Sequence, residues 1–188
     1  MPGKKFDPSR AAHLDSPMRR KFIDPEKIIL TIGVRKGMAV ADIGSGTGFF
    51  TLPLAKAVGA EGKVFAVDIS AELLEVVKGK TRGMGNMETI LSTEDKIPLP
   101  DRSIDIALMV NVLHELEGDG TLREIGRILR PGGALAVIDW KKKLMLEGPP
   151  LWHRLSEKEA EGRLSGIGFK PEKRFEPSHF EYGLVLRL

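Results

Sequence analysis

The chain has 188 residues, of which 41% are hydrophobic, and these values are ordinary for one folded domain with a sizeable core. The formal net charge of +3 neither demands nor excludes an anionic partner. Cysteine is absent, which excludes disulfides, thiolate metal ligands and a cysteine nucleophile. No apolar run approaches the ~20 residues of a membrane span, and the N-terminus lacks the apolar centre of a secretory signal. We therefore expect a cytoplasmic protein.

The first 36 residues differ in composition from the rest, and we predict a helical arm or lid over residues 1–36 and the main domain over 37–188. Asp24 and Pro25 form a typical helix start, with Asp24 as N-cap and Pro25 in the first turn. The residues before Asp24 are polar, basic and poor in core residues. A loosely docked terminus is therefore the alternative to an arm.

From residue 37 onward, short apolar strands alternate with helical patterns. Five strands are predicted over residues 38–43, 63–67, 87–91, 104–110 and 134–140. Three helices are predicted between them, over residues 48–58, from Ser70 as N-cap to about Lys80, and over 121–129. The Arg-Pro-Gly-Gly sequence at 130–133 is predicted to stop the last of these helices. Alternation of this kind predicts parallel strands joined by right-handed helical crossovers.

The C-terminal part breaks this rhythm. Ser156 and Glu159 fit a capping box that opens a helix to about Ser165, and strands follow over 171–175 and 182–188. The connection between these two strands is too short for a parallel crossover, so they form an antiparallel pair. The predicted fold class is α/β: a doubly wound, mostly parallel seven-stranded sheet with helices on both faces and a C-terminal antiparallel hairpin.

The sequence VADIGSGTGFF at residues 40–50 places a glycine-rich turn after the first predicted strand. A dinucleotide site has the pattern G-x-G-x-x-G, but its third glycine would fall on Phe49. Asp42, just before the glycines, would repel a pyrophosphate and suits an ammonium group, while amides at the following helix start can receive a carboxylate. The loop therefore favours an amino acid zwitterion. The expected cradle consists of Gly44, Ser45, Gly46 and Gly48.

Asp68 ends the second predicted strand, where an acidic side chain can accept hydrogen bonds from both ribose hydroxyls of an adenosine. NAD sites share this feature, and capping of the next helix is an alternative role. Because Ser70 can supply that cap, we assign Asp68 to the ribose. An amino acid joined to a nucleoside indicates S-adenosylmethionine as the cofactor.

Four sequence motifs in order resemble class I S-adenosylmethionine-dependent methyltransferases, of the small type that includes the ubiquinone/menaquinone biosynthesis enzymes. They are VADIGSGTGFFT, FAVDIS, TEDKIPLPDRSIDIALMVNVLHEL and LRPGGALAVIDW, and they lie within residues 37–140. The resemblance implies a Rossmann-like methyltransferase fold with a C-terminal hairpin. It also implies an acidic adenine contact a few positions after the third strand. Thr93 stands at that place and Glu94 follows it, so Glu94 is the first choice and Thr93 the second, with Ile69 and Ile97 packing on the ring.

Asn111 and His114 follow the fourth predicted strand. The carboxyl ends of parallel strands form the ligand edge of such sheets, so both residues are expected near the transferred methyl group. His114 is a candidate general base, because its intrinsic pKa of ~6.5 allows it to accept a proton near neutrality. A structural role, capping or bonding a carbonyl, is the alternative. No second histidine stands at zinc-helix spacing, so we expect no metal.

The sequence thus predicts an S-adenosylmethionine-dependent methyltransferase that acts by in-line displacement on a small-molecule acceptor. Nucleic acid is disfavoured, because the chain lacks the Asn/Asp-Pro-Pro-aromatic motif of base-amine methyltransferases and any appended reading module. The alternatives are a non-catalytic cofactor-binding module or partner subunit and a nicotinamide-dependent oxidoreductase; a homo-oligomer is possible. Basic residues that can attract an anionic acceptor or cover its pocket are Lys141, Lys142, Lys143, Arg10, His13, Arg19 and Arg20.

Overall fold

The structure is a computed structural model that describes residues 17–188, with side chains from Arg19 onward. It contains one seven-stranded sheet in the order β3-β2-β1-β4-β5-β7-β6. The strands are β1 (Ala39–Ile43), β2 (Lys63–Asp68), β3 (Met87–Leu91), β4 (Ile104–Val110), β5 (Leu129–Trp140), β6 (Lys170–Phe175) and β7 (Glu181–Arg187). The α-helices are α1 (Pro17–Phe22), α2 (Pro25–Thr31), α3 (Thr51–Val58), α4 (Ala71–Lys80), α5 (Gly120–Ile128) and α6 (Glu157–Ser165).

Strands β1 to β5 are parallel, and β7 pairs antiparallel with both β5 and β6. The predicted fold class is therefore confirmed, including the C-terminal hairpin. The chain runs outward from β1 to β3 and then returns to place β4 on the other side of β1. This reversal opens a crevice at the carboxyl ends of β1 and β4, which is where doubly wound sheets bind their ligands.

The predicted N-caps of three helices are confirmed. Asp24 accepts a hydrogen bond from the Lys27 amide at the start of α2, and Ser70 caps α4. Ser156 and Glu159 form the complete capping box of α6. Each side chain satisfies amides that have no partner inside the helix, and this fixes the helix boundary to within a residue.

Two predicted boundaries were wrong by more than one residue. Helix α3 begins at Thr51 and not at Gly48, because Gly48 has a φ of +86° that a helix cannot contain. Strand β5 begins at Leu129, so the Arg-Pro-Gly-Gly sequence lies inside the strand and does not precede it. Leu129 pairs with Ile104 and Ala134 with Ile106, so the intervening residues are accommodated as a bulge opposite β4.

Hydrophobic side chains cover both faces of the sheet. Helices α5 and α6 contribute Leu122, Ile125 and Leu164 to one core, whereas α2 and α3 contribute Ile28 and Leu54 to the other. Residues 17–36 are the described part of the predicted arm, and they supply core residues between Ile23 and Val34. The boundary at residue 36 stays a prediction, and residues 1–16 lie outside the described part. Within residues 17–188 no helix combines the length and apolar character that crossing a membrane requires.

Candidate cofactor site and active site

The glycine loop after β1 folds back over the end of β2. Gly44, Gly46 and Gly48 have φ values of +69°, +55° and +86°, in the left-handed region that favours glycine. The amides of Gly44 and Ser45 both donate to the carbonyl of Val67, at 2.8 and 3.0 Å. A side chain at Gly44 would place its Cβ 2.4 Å from a methyl carbon of Val112. The loop therefore requires glycine there for both its backbone conformation and its contact with Val112.

Asp42, the residue predicted to hold an ammonium group, lies buried directly before this loop. The Thr51 hydroxyl donates to its Oδ2 at 2.6 Å. Burial raises the pKa of Asp42 to about 6, partly offset by the Thr51 hydrogen bond, while the nearby Asp68 charge raises it further and Arg19 lowers it. A buried carboxylate with a raised pKa is stabilised when a cation approaches, so the position suits an ammonium group.

We expect the affinity for S-adenosylmethionine to fall as the pH drops below about 6. The Asp42 pKa lies near that value, and the neutral acid formed below it no longer attracts the ammonium. Isothermal titration calorimetry between pH 5 and pH 8 measures the effect. The matched control is Asp42→Asn, which should bind weakly and equally at every pH; a wild-type affinity that is flat across this range would remove Asp42 from the ammonium site.

Asp68 connects the glycine loop to the start of α4. Its Oδ2 accepts from the Gly46 amide at 2.8 Å and its Oδ1 from the Ser70 amide at 2.9 Å. Ser70 itself supplies the helix cap through the Leu73 amide, so the capping alternative for Asp68 does not apply to α4. Each carboxylate oxygen keeps acceptor capacity beyond one amide, which leaves Asp68 able to receive ribose hydroxyls.

Three buried side-chain polar atoms of the described residues have no hydrogen-bond partner: Ser45 Oγ in the glycine loop, Asn111 Oδ1 after β4 and Tyr182 Oη near the start of β7. Buried polar atoms are normally paired, and unpaired ones in a cleft mark a place where a ligand completes the bonding. Together with the glycine cradle and Asp42, the Ser45 and Asn111 atoms show that the residues present fit a polar zwitterionic cofactor.

The residues proposed to contact adenine differ in how much of their surface is exposed. Ile69 is half exposed beside Asp68, where a ring can pack on it, and Thr93 is exposed. Glu94 is partly buried, and its carbonyl accepts from the Thr121 hydroxyl, which ties it to α5. Ile97 was wrongly expected at the ring: it is buried in the core and offers a ligand almost no surface. The choice between Glu94 and Thr93 stays a prediction.

Asn111 adopts a left-handed conformation, with a φ of +58°, at the end of β4. Its Nδ2 donates to Glu181 Oε1 at 2.9 Å, and the Ser178 hydroxyl donates to Glu181 Oε2 at 3.0 Å. Glu181 is buried at the start of β7, and burial raises its pKa, partly offset by these two hydrogen bonds and by the Arg19 charge. Sequence reasoning missed Glu181, because an acid at a strand end is usually solvated.

His114 lies in a single 3₁₀ turn (Leu113–Glu115) after β4 and is buried. Its Nδ1 is 2.7 Å from Asp139 Oδ1, and its amide donates to Asp139 Oδ2. Burial lowers the pKa of His114, but the hydrogen bond and charge of Asp139, with the charge of Glu115, outweigh it, so the pKa lies above 6.5. The sequence analysis did not identify Asp139. The signal that could have identified it is an acidic residue near the end of the apolar strand β5.

Helix α1 lies across this edge. The Arg19 guanidinium carbon is 4.3 Å from the centre of the Phe49 ring, next to the glycine loop, and that of Arg20 is 5.4 Å from it. At the other side Phe22 meets Phe180, with ring centres 5.2 Å apart. Arg19 and Arg20, which were predicted to cover the acceptor pocket, thus lie at this edge. Arg10 and His13, the other two residues with this predicted role, lie outside the described residues.

The predicted lysine triplet leaves β5 at the same edge. Lys141 pairs with Glu176 at 2.9 Å and Lys142 with Glu159 at 2.7 Å. Lys143 lines a shallow recess with Phe180 and its neighbours. Two of the three lysines are therefore engaged in surface ion pairs, which does not favour their predicted role of attracting an anionic acceptor.

Comparison with known proteins agrees with this geometry. Residues 41–137 match the family described as a methyltransferase domain. The crystal structure of a SAM-dependent methyltransferase from Aquifex aeolicus superposes with a TM-score of 0.93 at 38% identity, covering 97% of this chain and 98% of that one. The chain therefore belongs to the methyltransferase-domain family, and the cofactor that this membership implies is S-adenosylmethionine.

Among curated proteins, a ubiquinone/menaquinone biosynthesis C-methyltransferase from Hahella chejuensis is 37% identical over 114 residues, which is 58% of this chain and 46% of that protein. A demethylmenaquinone methyltransferase from Staphylococcus aureus is 34% identical over 115 residues, which is 61% of this chain and 48% of that protein. The chain spans about half the length of the curated relatives it matches.

Proposed function

We propose that the protein transfers the methyl group of S-adenosylmethionine to a small-molecule acceptor. The observation that carries the proposal is the buried Asp42 beside three glycines in left-handed conformations. This arrangement suits an ammonium and a close-approaching zwitterion and opposes a pyrophosphate, which disfavours the nicotinamide-dependent alternative. Asp68 lies at the adjacent strand end, as binding of a ribose requires.

The chain's own contribution is to position the reactants. When bound, S-adenosylmethionine supplies an activated methyl group on a sulfonium. Asp42 and Asp68 hold the ammonium and the ribose, so neither carboxylate needs to stabilise the sulfonium charge that is lost during transfer. With Asp42 and Asp68 holding the cofactor, its methyl group would lie in line with the acceptor atom, and this positioning would be the main source of rate acceleration.

His114 is the proposed group that removes a proton from the acceptor. Asp139 accepts the Nδ1 hydrogen of the neutral ring, which leaves Nε2 as the atom that can take the proton. The same Asp139 carboxylate stabilises the imidazolium that results. Asp139 is thus the proposed positioning residue of the pair. Proton removal is needed when the acceptor is a hydroxyl or a carbon acid.

An aromatic ring carbon of a reduced quinone (a quinol) is the first acceptor to test. It is supported by two relatives, one named for C-methylation in ubiquinone and menaquinone biosynthesis and one for methylation of demethylmenaquinone. The assay supplies isotopically labelled cofactor with a reduced short-chain demethylmenaquinone, and in parallel with a lysate, and detects labelled products by mass spectrometry. Retained cofactor with no labelled product in either arm would favour the non-catalytic alternative. A cytoplasmic location and the exclusion of nucleic acid stay predictions.

We expect activity to rise with pH, with a midpoint above 6.5, because His114 must be neutral to act as a base and its pKa is raised. Asp139→Asn removes the anionic partner, which should lower kcat at least tenfold and move the midpoint to lower pH, while the Kd for S-adenosylmethionine stays unchanged. In the variant His114→Gln, activity should no longer rise with pH. An unaltered pH profile in Asp139→Asn would assign His114 and Asp139 a structural role only.

A further inference from the structure

A short loop over residues 92–97 follows β3 at the carboxyl edge of the sheet. The Ser92 amide donates to the Asp68 carbonyl at 3.0 Å, and the Thr93 amide donates to the Lys96 carbonyl at 3.0 Å, which closes the loop on itself. Strands β2 and β3 are neighbours in the sheet. A base attached to a ribose at Asp68 can therefore reach this loop, which carries both candidate contacts to adenine.

Two side chains of α5 hold the backbone at the end of this loop. Glu124 Oε2 accepts from the Ile97 amide at 2.9 Å, and Arg127 Nη2 donates to the Ile97 carbonyl at 2.8 Å. Arg127 Nη1 also donates to the Leu99 carbonyl at 2.9 Å. Ile97 and Leu99 belong to no helix or strand, so these side chains supply the backbone hydrogen bonds that a neighbouring strand would otherwise give.

Glu124 and Arg127 also bind each other, one helical turn apart. Arg127 Nε donates to Glu124 Oε1 and Nη2 donates to Oε2, both at 2.7 Å. The hydrogen bond from Arg127 lowers the pKa of Glu124 to about 2, partly opposed by burial. A two-point contact of this kind fixes the orientation of both side chains. Because a surface ion pair contributes little stability by itself, the main consequence of this pair is the backbone that it holds in place.

We infer that Glu124 and Arg127 are positioning residues for recognition of the cofactor's adenine. They fix Ile97 against α5, and this fixes the loop that presents Thr93 and Glu94 to the base. Both residues act through the backbone of the loop and not by contact with the base. The inference rests on the proposed function for the binding of S-adenosylmethionine, but it is independent of the acceptor and of methyl transfer.

The test compares, by calorimetry, the affinity for S-adenosylhomocysteine with that for its hypoxanthine analogue, in which an oxygen replaces the exocyclic amine. We expect the wild type to bind the adenine form at least tenfold more tightly. Arg127→Met should reduce this preference at least fivefold, because it removes the bonds to the Ile97 and Leu99 carbonyls. Glu124→Gln keeps an acceptor for the Ile97 amide but loses the charged pair, so it should reduce the preference in the same direction by a smaller factor.

The matched control is Asp101→Asn. It removes the contact of Arg127 Nη1 with the exposed Asp101 carboxylate at 2.6 Å but leaves the bonds to the backbone, so the adenine preference should stay as in the wild type. A 2′-deoxy analogue of S-adenosylhomocysteine measures the ribose preference, which depends on Asp68 and should be unchanged in Arg127→Met.

Three results would overturn the inference alone. The wild type binds both bases equally, neither Arg127→Met nor Glu124→Gln lowers the adenine preference, or Arg127→Met lowers the base and ribose preferences together, as a general loss of structure would. Failure of the wild type to bind S-adenosylhomocysteine at all would contradict the proposed cofactor site, and the inference with it.

Discussion

Gly44→Ala is expected to lower the affinity for S-adenosylmethionine more than a hundredfold and to reduce thermal stability. The left-handed φ of +69° is strained for alanine by ~1–2 kcal/mol, and the new Cβ would stand 2.4 Å from a Val112 methyl carbon. The loop must then move away from the end of β4, where the cofactor's zwitterionic end is proposed to bind. Titration calorimetry and thermal unfolding measure the two effects.

Gly33→Ala separates conformational strain from the clash. Gly33 has a φ of +85°, but apart from its two chain neighbours no atom of the described residues lies within 4 Å of the added Cβ. This variant should lose ~1 kcal/mol of stability and keep the affinity for the cofactor. The double variant Gly44→Ala/Val112→Ala should recover part of the lost binding because it removes the opposing methyls. Wild-type affinity in Gly44→Ala would show that the glycine loop is not the cradle.

Asp68→Ala is expected to weaken S-adenosylmethionine binding at least tenfold. The variant loses the proposed ribose acceptors and also the hydrogen bonds from the amides of Gly46 and Ser70 that hold the loop against α4. Calorimetry with S-adenosylhomocysteine and its 2′-deoxy analogue distinguishes the two contributions. The wild type should prefer the ribose form and the variant should not. Unchanged affinity would remove Asp68 from the site.

The sheet was largely predictable because its strands are local apolar runs. Strands β3 and β4 have the predicted bounds, since their sequences are flanked by turn residues and β4 is buried on both faces. The start of β5 was not predictable in the same way. Pro131 and the two following glycines are typical of a turn. The pairing of Leu129 with β4 overrides that local preference through long-range hydrogen bonds.

The site also contains a part that is predictable from local sequence and a part that depends on long-range contacts. Asp42 and the glycine loop come together within one strand–turn–helix unit, so their spacing in the sequence already fixes their geometry. Glu181 meets Asn111 across 70 residues of chain, and Asp139 meets His114 across 25. These contacts depend on which strand ends beside which, and on β7 entering the sheet antiparallel. Such information resides in the topology and not in any local pattern.

The segment between β5 and α6, residues 141–154, is held by a buried guanidinium. Four of its carbonyls accept hydrogen bonds from Arg154, and the ion pairs of Lys141 with Glu176 and of Lys142 with Glu159 join it to the rest of the chain. None of these contacts involves the glycine loop after β1. Replacement of the exposed residues of this segment is therefore expected to leave the glycine loop unchanged.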